Sequence, residues 1–136
     1  MKPLVLLSND DGFASKRLRA LRDALVTWAD VVVVAPLLEQ SASSHSLTLH
    51  HPIRAREMEP GIFAVDGTPA DCVYVALHCG TRFLPRWPDL VCSGINRGLN
   101  LGQDAFYSGT VAAAREAALR GIPSIASSAS RSSVGV

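Results

Sequence analysis

The sequence predicts an open α/β fold: a mostly parallel sheet covered by helices. Three observations carry that reading. Short apolar runs alternate with helix-periodic stretches along the chain. Two of the runs, Leu4 to Leu7 and Val31 to Ala35, are apolar at consecutive positions, as in strands buried on both faces of a parallel sheet. Polar clusters follow three strands, at Asn9-Asp10-Asp11, Ser41 to Ser46 and Ser93 to Asn100. In such sheets the carboxyl ends of the strands form the ligand-binding rim, so all three clusters would share it.

Each element has its own signal. Residues 3–8 read as a buried strand. Ser15 then caps a helix through about Trp28, with Leu18, Leu21, Leu25 and Trp28 on its apolar face. Val31 to Ala35 form a second strand, ended by Pro36, and residues 37–51 form a polar loop rich in serine. Residues 52–57 and 62–66 pair as a hairpin around Glu59-Pro60-Gly61. Thr68-Pro69-Ala70-Asp71 starts a helix that buries Ala70, Val73, Tyr74 and Leu77. Asp89 to Cys92 read as a third core strand, followed by a Gly/Asn-rich loop over 94–107. An alanine-rich helix at 109–120 ends at Gly121, and a further strand starts at Pro123. Ser127 to Val136 are serine-rich and carry no period.

With 136 residues the chain is one domain by length. Hydrophobic residues at 48% and charged residues at 18% mark a globular chain rather than a disordered one. The apolar runs are too short to span a bilayer, and no signal peptide is expected. A net charge of +1 gives no general field for a nucleic-acid polymer or a membrane, but leaves local binding of a small anion open. Cys72, Cys79 and Cys92 are expected to be buried free thiols in a reducing cytoplasm. His45, His50, His51 and His78 lack zinc-site spacing.

The rim clusters are the candidate chemistry. Asp10 and Asp11 sit where a buried strand emerges, either as a solvated turn or as ligands of a cation that offsets their charge. Ser41 adds a hydroxyl and Asn96 an amide oxygen. This all-oxygen set suits Mg²⁺ or Mn²⁺, although a loop serine and a turn asparagine are the simpler readings of those two residues. Tyr107-Ser108-Gly109-Thr110-Val111 opens a helix whose backbone N–H groups could cradle a phosphate, or Ser108 is an ordinary cap. Gly94, Gly98 and Gly102 do not form a dinucleotide fingerprint, and Asp-Asp-Gly is not the D-x-D of haloacid-dehalogenase-like phosphatases.

Taken together, these motifs resemble the SurE family of survival proteins and 5′-nucleotidases. The resemblance rests on Leu7-Ser8-Asn9-Asp10-Asp11-Gly12, on Val34-Ala35-Pro36 with Ser41, and on Ser44-His45-Ser46-Leu47-Thr48. It continues in Gly67 to Val73, Asp89 to Asn96, Gly98 to Asn100, Gly102, Asp104 and Tyr107 to Val111. It implies a Rossmann-like three-layer α/β/α fold and a divalent-metal-dependent phosphatase acting on nucleoside monophosphates. Its metal ligands would fall on Asp10, Asp11, Ser41 and Asn96. Its phosphate contacts would fall on Ser108, Gly109 and Thr110, with Asn9 nearby. Asp11 acting as base and direct attack by an aspartate both fit, so Asp10, Asp11 and Asn9 are the catalytic candidates. Homodimers or tetramers are expected of the family.

The chain departs from the family pattern at Ala42, where glycine is usual, and at Ser15-Lys16-Arg17 before the first helix. The resemblance is expected to cover residues 1–126, the N-terminal catalytic portion, with 127–136 as a tail outside the pattern. The rival reading is a truncated, binding-only or inactive fragment of such a protein.

Overall fold

The computed structural model describes residues 2–39, 52–97 and 108–129. Strand β1 (Leu4–Ser8) lies in the interior of a six-stranded sheet. Beside it run β2 (Asp30–Pro36) and β5 (Leu90–Arg97), both parallel to it. Beyond β2 come β4 (Ile62–Val65), which is parallel, and β3 (Ala55–Glu59), which is antiparallel and forms the edge. β6 (Ser124–Ala129) pairs in parallel with β5, so the order is β3-β4-β2-β1-β5-β6.

The unbroken apolar run of β1 follows from burial on both sides of the sheet. Leu4 and Leu6 enter one cluster with Val73, Ala76 and Leu77 of α2 (Pro69–His78) and Ala113 and Ala117 of α3 (Gly109–Leu119). Val5 and Leu7 enter the other, with Leu18 and Leu25 of α1 (Lys16–Leu25). Fully burying one such side chain stabilises the fold by about 1.5–3 kcal/mol. The result is the expected three layers, with α1 on one face and α2 and α3 on the other.

The helix starts and the core strands fall where the sequence places them. The first hairpin strand, expected at 52–57, is Ala55–Glu59, and there are further differences. Helix α1 ends at Leu25, and the following turn carries Trp28 out to 50% exposure while Ala29 enters the core. Tyr74 is 38% exposed: its ring lies on the outer side of α2, beside His78 and under the Arg120 guanidinium. Cys79 is exposed because it is the C-cap of α2, past the last turn that packs, whereas Cys72 and Cys92 are buried as expected. β5 runs on through Gly94, Ile95 and Asn96, so those residues belong to a strand and not to a loop.

β5 carries a local irregularity. The ladder with β6 shifts register between Ser93 and Asn96, and the Gly94–Ile95 peptide is cis. Gly94 has φ +147, and a Cβ there would meet the Ser127 hydroxyl and lie 2.7 Å from the Ser127 carbonyl oxygen. Glycine is therefore required for β5 and β6 to approach this closely. β6 itself continues from the expected start to Ala129, three residues into the stretch read as aperiodic.

Candidate functional site

Strand order reverses at β1, because the chain builds outward on one side of it through β2 and returns on the other through β5. The crevice outside the carboxyl ends of β1 and β5 is thus the topological switch point, the usual ligand position in such sheets. The Asp10-Asp11 turn leaves β1 at this point, and Asn96 lies near the end of the neighbouring β5.

The turn is held by its own side chains. Asn9 is fully buried, and its amide donates to the Gly12 carbonyl at 2.9 Å and accepts from the Gly12 N–H at 3.1 Å. Gly12 has φ +104, which a side chain would strain. Phe13 N–H then donates to the Pro36 carbonyl at 2.8 Å, tying the turn to the end of β2. The effect is to fix Asp10 at the crevice with only 5% of its surface exposed. Asp11 is intermediate in exposure.

Helix α3 supplies the opposite wall. Ser108 is its N-cap, accepting from the N–H groups of Thr110 at 3.1 Å and Val111 at 3.3 Å. No acidic residue stands in the first turn of α3, so its positive end is not offset from within the helix. The Thr110 side chain is fully buried, and its Oγ1 lies 3.0 Å from Asp10 Oδ1 and 3.2 Å from Asn96 Oδ1. One hydroxyl therefore brings the β1 turn, β5 and α3 to a single point.

Burial pushes the Asp10 carboxyl up to about 6, with the neighbouring Asp11 charge acting in the same direction; the Thr110 hydrogen bond opposes both. An anion this poorly solvated is stabilised by a cation. The donors present fit a hard divalent ion: carboxylate oxygens of Asp10 and Asp11 and the amide oxygen of Asn96. Among the described residues no three His, Cys, Asp or Glu side chains cluster, so a zinc-like set is not formed there.

The sequence candidates therefore fall as follows. Asp10, Asn96 and Thr110 meet at one point; Asp11 follows Asp10 in the same turn, and Ser108 and Gly109 precede Thr110 at the start of α3. Asn9 lies directly beneath, with its amide engaged by Gly12. Ser41 and Ala42 lie outside the described residues, as do Gly98, Gly102, Asp104 and Tyr107. Sequence reasoning missed the link from Thr110 to Asp10 and Asn96, because no local pattern signals a contact across 100 residues. It also missed Ser8 and Ser93, fully buried register partners on β1 and β5. The signal was available: each apolar run ends in serine. A cavity of about 380 Å³ between the β3–β4 hairpin and α2 is lined by Ile53, Phe63, Val75, Cys79 and Phe83, none of them a site candidate.

The fold and the crevice define a mostly parallel α/β protein with oxygen donors gathered at its switch point, beside a helix N-terminus. The family model described as Survival protein SurE matches residues 5–134. The chain belongs to the SurE family. It is 70% identical over 129 residues to a protein of Sorangium cellulosum named 5′-nucleotidase SurE, covering 95% of this chain and 50% of that one. A protein of the same name from Geotalea daltonii is 54% identical, with coverage of 96% and 52%. The crystal structure of SurE protein from Aquifex aeolicus superimposes with a TM-score of 0.87 at 49% identity, over 94% of this chain and 51% of that one. The chain spans about half the length of the curated relatives it matches.

Proposed function

We propose that this chain carries the nucleotide-hydrolysing site of a metal-dependent phosphomonoesterase. Its substrates would be nucleoside 5′-monophosphates, with 3′-monophosphates and polyphosphate as further candidates. The observation that carries the reading is the meeting of Asp10 and Asn96 on the Thr110 hydroxyl at the switch point. The name 5′-nucleotidase SurE on a relative 70% identical supports the substrate class.

In this reading Asp10, Asp11 and Asn96, with Ser41, hold one Mg²⁺ or Mn²⁺. When bound, the ion supplies Lewis-acid polarisation of a phosphoryl oxygen and orients the attacking group. The first turn of α3, at Ser108 and Gly109, would stabilise negative charge on the phosphoryl oxygens, while the Thr110 side chain that the resemblance also puts there is engaged by Asp10 and Asn96. Asn9 keeps the aspartate turn closed. Asp11, the more exposed of the two carboxylates, would take a proton from an attacking water, with direct attack by an aspartate as the alternative. Free thiols at Cys72, Cys79 and Cys92 support a reducing cytoplasm. A homodimer or tetramer is the assembly we propose with it.

The test is phosphate release from AMP and GMP with and without Mn²⁺. Mn²⁺-dependent release that is lost in Asp10→Asn is expected. Full activity of that variant, or no release by the wild-type chain, overturns the reading.

A further inference from the structure

The Thr110 side chain stands at the start of α3, where a phosphate contact is the obvious role. Its surroundings say otherwise. The residue has no exposed surface, and its single hydroxyl is placed between two oxygens, Asp10 Oδ1 and Asn96 Oδ1. A hydroxyl carries one proton and can donate fully to only one of them. The carboxylate is the stronger acceptor, so the proton serves Asp10 at 3.0 Å first and is shared with Asn96 Oδ1 at the longer 3.2 Å. The Thr110 N–H is held at 3.1 Å by the Ser108 cap, and its branched Cβ restricts χ1. To reach a substrate oxygen, the hydroxyl would have to abandon both side chains.

We infer that Thr110 is a positioning residue: its hydroxyl presets Asp10 and Asn96 for a divalent cation and is not itself a phosphate ligand. The inference rests on the metal reading above and deepens it. It also divides the first turn of α3, leaving Ser108 and Gly109 as its anion-facing part. A hydroxyl behind metal ligands fixes their orientation, and removing such a partner weakens metal affinity by roughly 10–100-fold.

The test separates metal from phosphate. Mn²⁺ binding to the metal-free chain is measured from the electron paramagnetic resonance of free Mn²⁺, for wild type, Thr110→Val, Thr110→Ala and Thr110→Ser. Circular dichroism and melting temperature are recorded beside it. Thr110→Val and Thr110→Ala are expected to fold and to bind Mn²⁺ roughly 10–100-fold more weakly. Thr110→Ser should restore most of the affinity. At saturating Mn²⁺ the KM for AMP should stay near the wild-type value in all three variants.

Wild-type Mn²⁺ affinity in Thr110→Val with a raised KM for AMP would overturn the inference and return Thr110 to the phosphate. Equal loss of affinity in the Ser and Val variants would also overturn it, because the hydroxyl would then not matter. If none of the variants folds, the residue is structural and the inference fails. A wild-type chain that binds no Mn²⁺ defeats the metal reading itself, a result distinct from any difference among variants.

Discussion

The Thr110 hydroxyl and the Asp10 carboxylate meet at 3.0 Å across 100 residues of sequence, in a place with almost no exposed surface. The contact offsets part of what burial costs Asp10, and the carboxyl still holds its proton up to about 6.

That value sets a pH dependence for the metal-free chain. Folded Asp10 titrates near 6, while the unfolded chain titrates near 3.8. Between these values the folded state binds the extra proton, so this group's contribution is complete below about 3.8 and is lost as pH rises through about 6. The melting temperature of wild type should therefore fall relative to Asp10→Asn between pH 4 and pH 6.5. Parallel curves for the two proteins over that range would refute the assignment.

Asp89 behaves in the opposite sense at the far end of β1. Its carboxylate accepts from the Leu4 N–H at 2.8 Å and from Arg86 Nη1 at 2.9 Å, and these bonds hold it below the usual carboxylate range. Its contribution is present above the unfolded value of 3.8 and is lost as pH falls through the lower folded value. Asp89→Asn should lower the melting temperature at pH 7 and speed hydrogen exchange of the Leu4 amide. The difference from wild type should shrink under acid.

Gly94→Ala should cost roughly 1–3 kcal/mol, because it adds strain at a positive φ to a clash with backbone. The Ser127 carbonyl, 2.7 Å from the added Cβ, cannot swing away as a side chain would. Urea unfolding would show the loss as a lower midpoint at unchanged m. A midpoint within error of wild type would mean that β5 and β6 are further apart than described.

Thr68→Ala removes the N-cap of α2. The Thr68 hydroxyl accepts from the Asp71 N–H at 3.1 Å, and Asp71 Oδ2 accepts from the Thr68 N–H at 2.8 Å. Losing the cap should destabilise the chain by about 1 kcal/mol. Thr68→Ser should recover most of it, as judged by the same urea midpoint.

The parts legible in the sequence are those where local pattern and tertiary environment agree. Leu4 to Leu7 read as buried on both faces because helices do cover both faces. Thr68-Pro69-Ala70-Asp71 reads as a helix start because a capping box needs only four residues. Periodicity marks the helical faces of Trp28 and Tyr74 but does not say where their cover ends, and Cys79 lies in an apolar stretch yet past the last packed turn of α2. Asn96 reads as a loop residue in a Gly/Asn-rich stretch, whereas Gly94 permits the strand to continue beside Ser127. Of the Asp10–Asn96–Thr110 meeting point, Asp10 and Asn96 are legible as members of two clusters on one rim, and Thr110 as part of a separate helix start. The hydroxyl that joins them was not, since it depends on how deeply α3 sits against β1 and β5.

The placement of β1 inside the sheet also orders the events of folding. Its first neighbour, β2, is complete by residue 36, so β1, α1 and β2 can associate through short loops early in synthesis. Its second neighbour, β5, ends at residue 97, and Thr110 follows only after another turn of chain. Closing those longer loops is entropically costly and slow. For most of the time the ribosome spends on this domain, Asp10 and Asp11 therefore stand at an open sheet edge. The cation-binding geometry proposed above is expected to appear only with the last third of the domain, so under that proposal a nascent chain acquires Mn²⁺ affinity late and in one step.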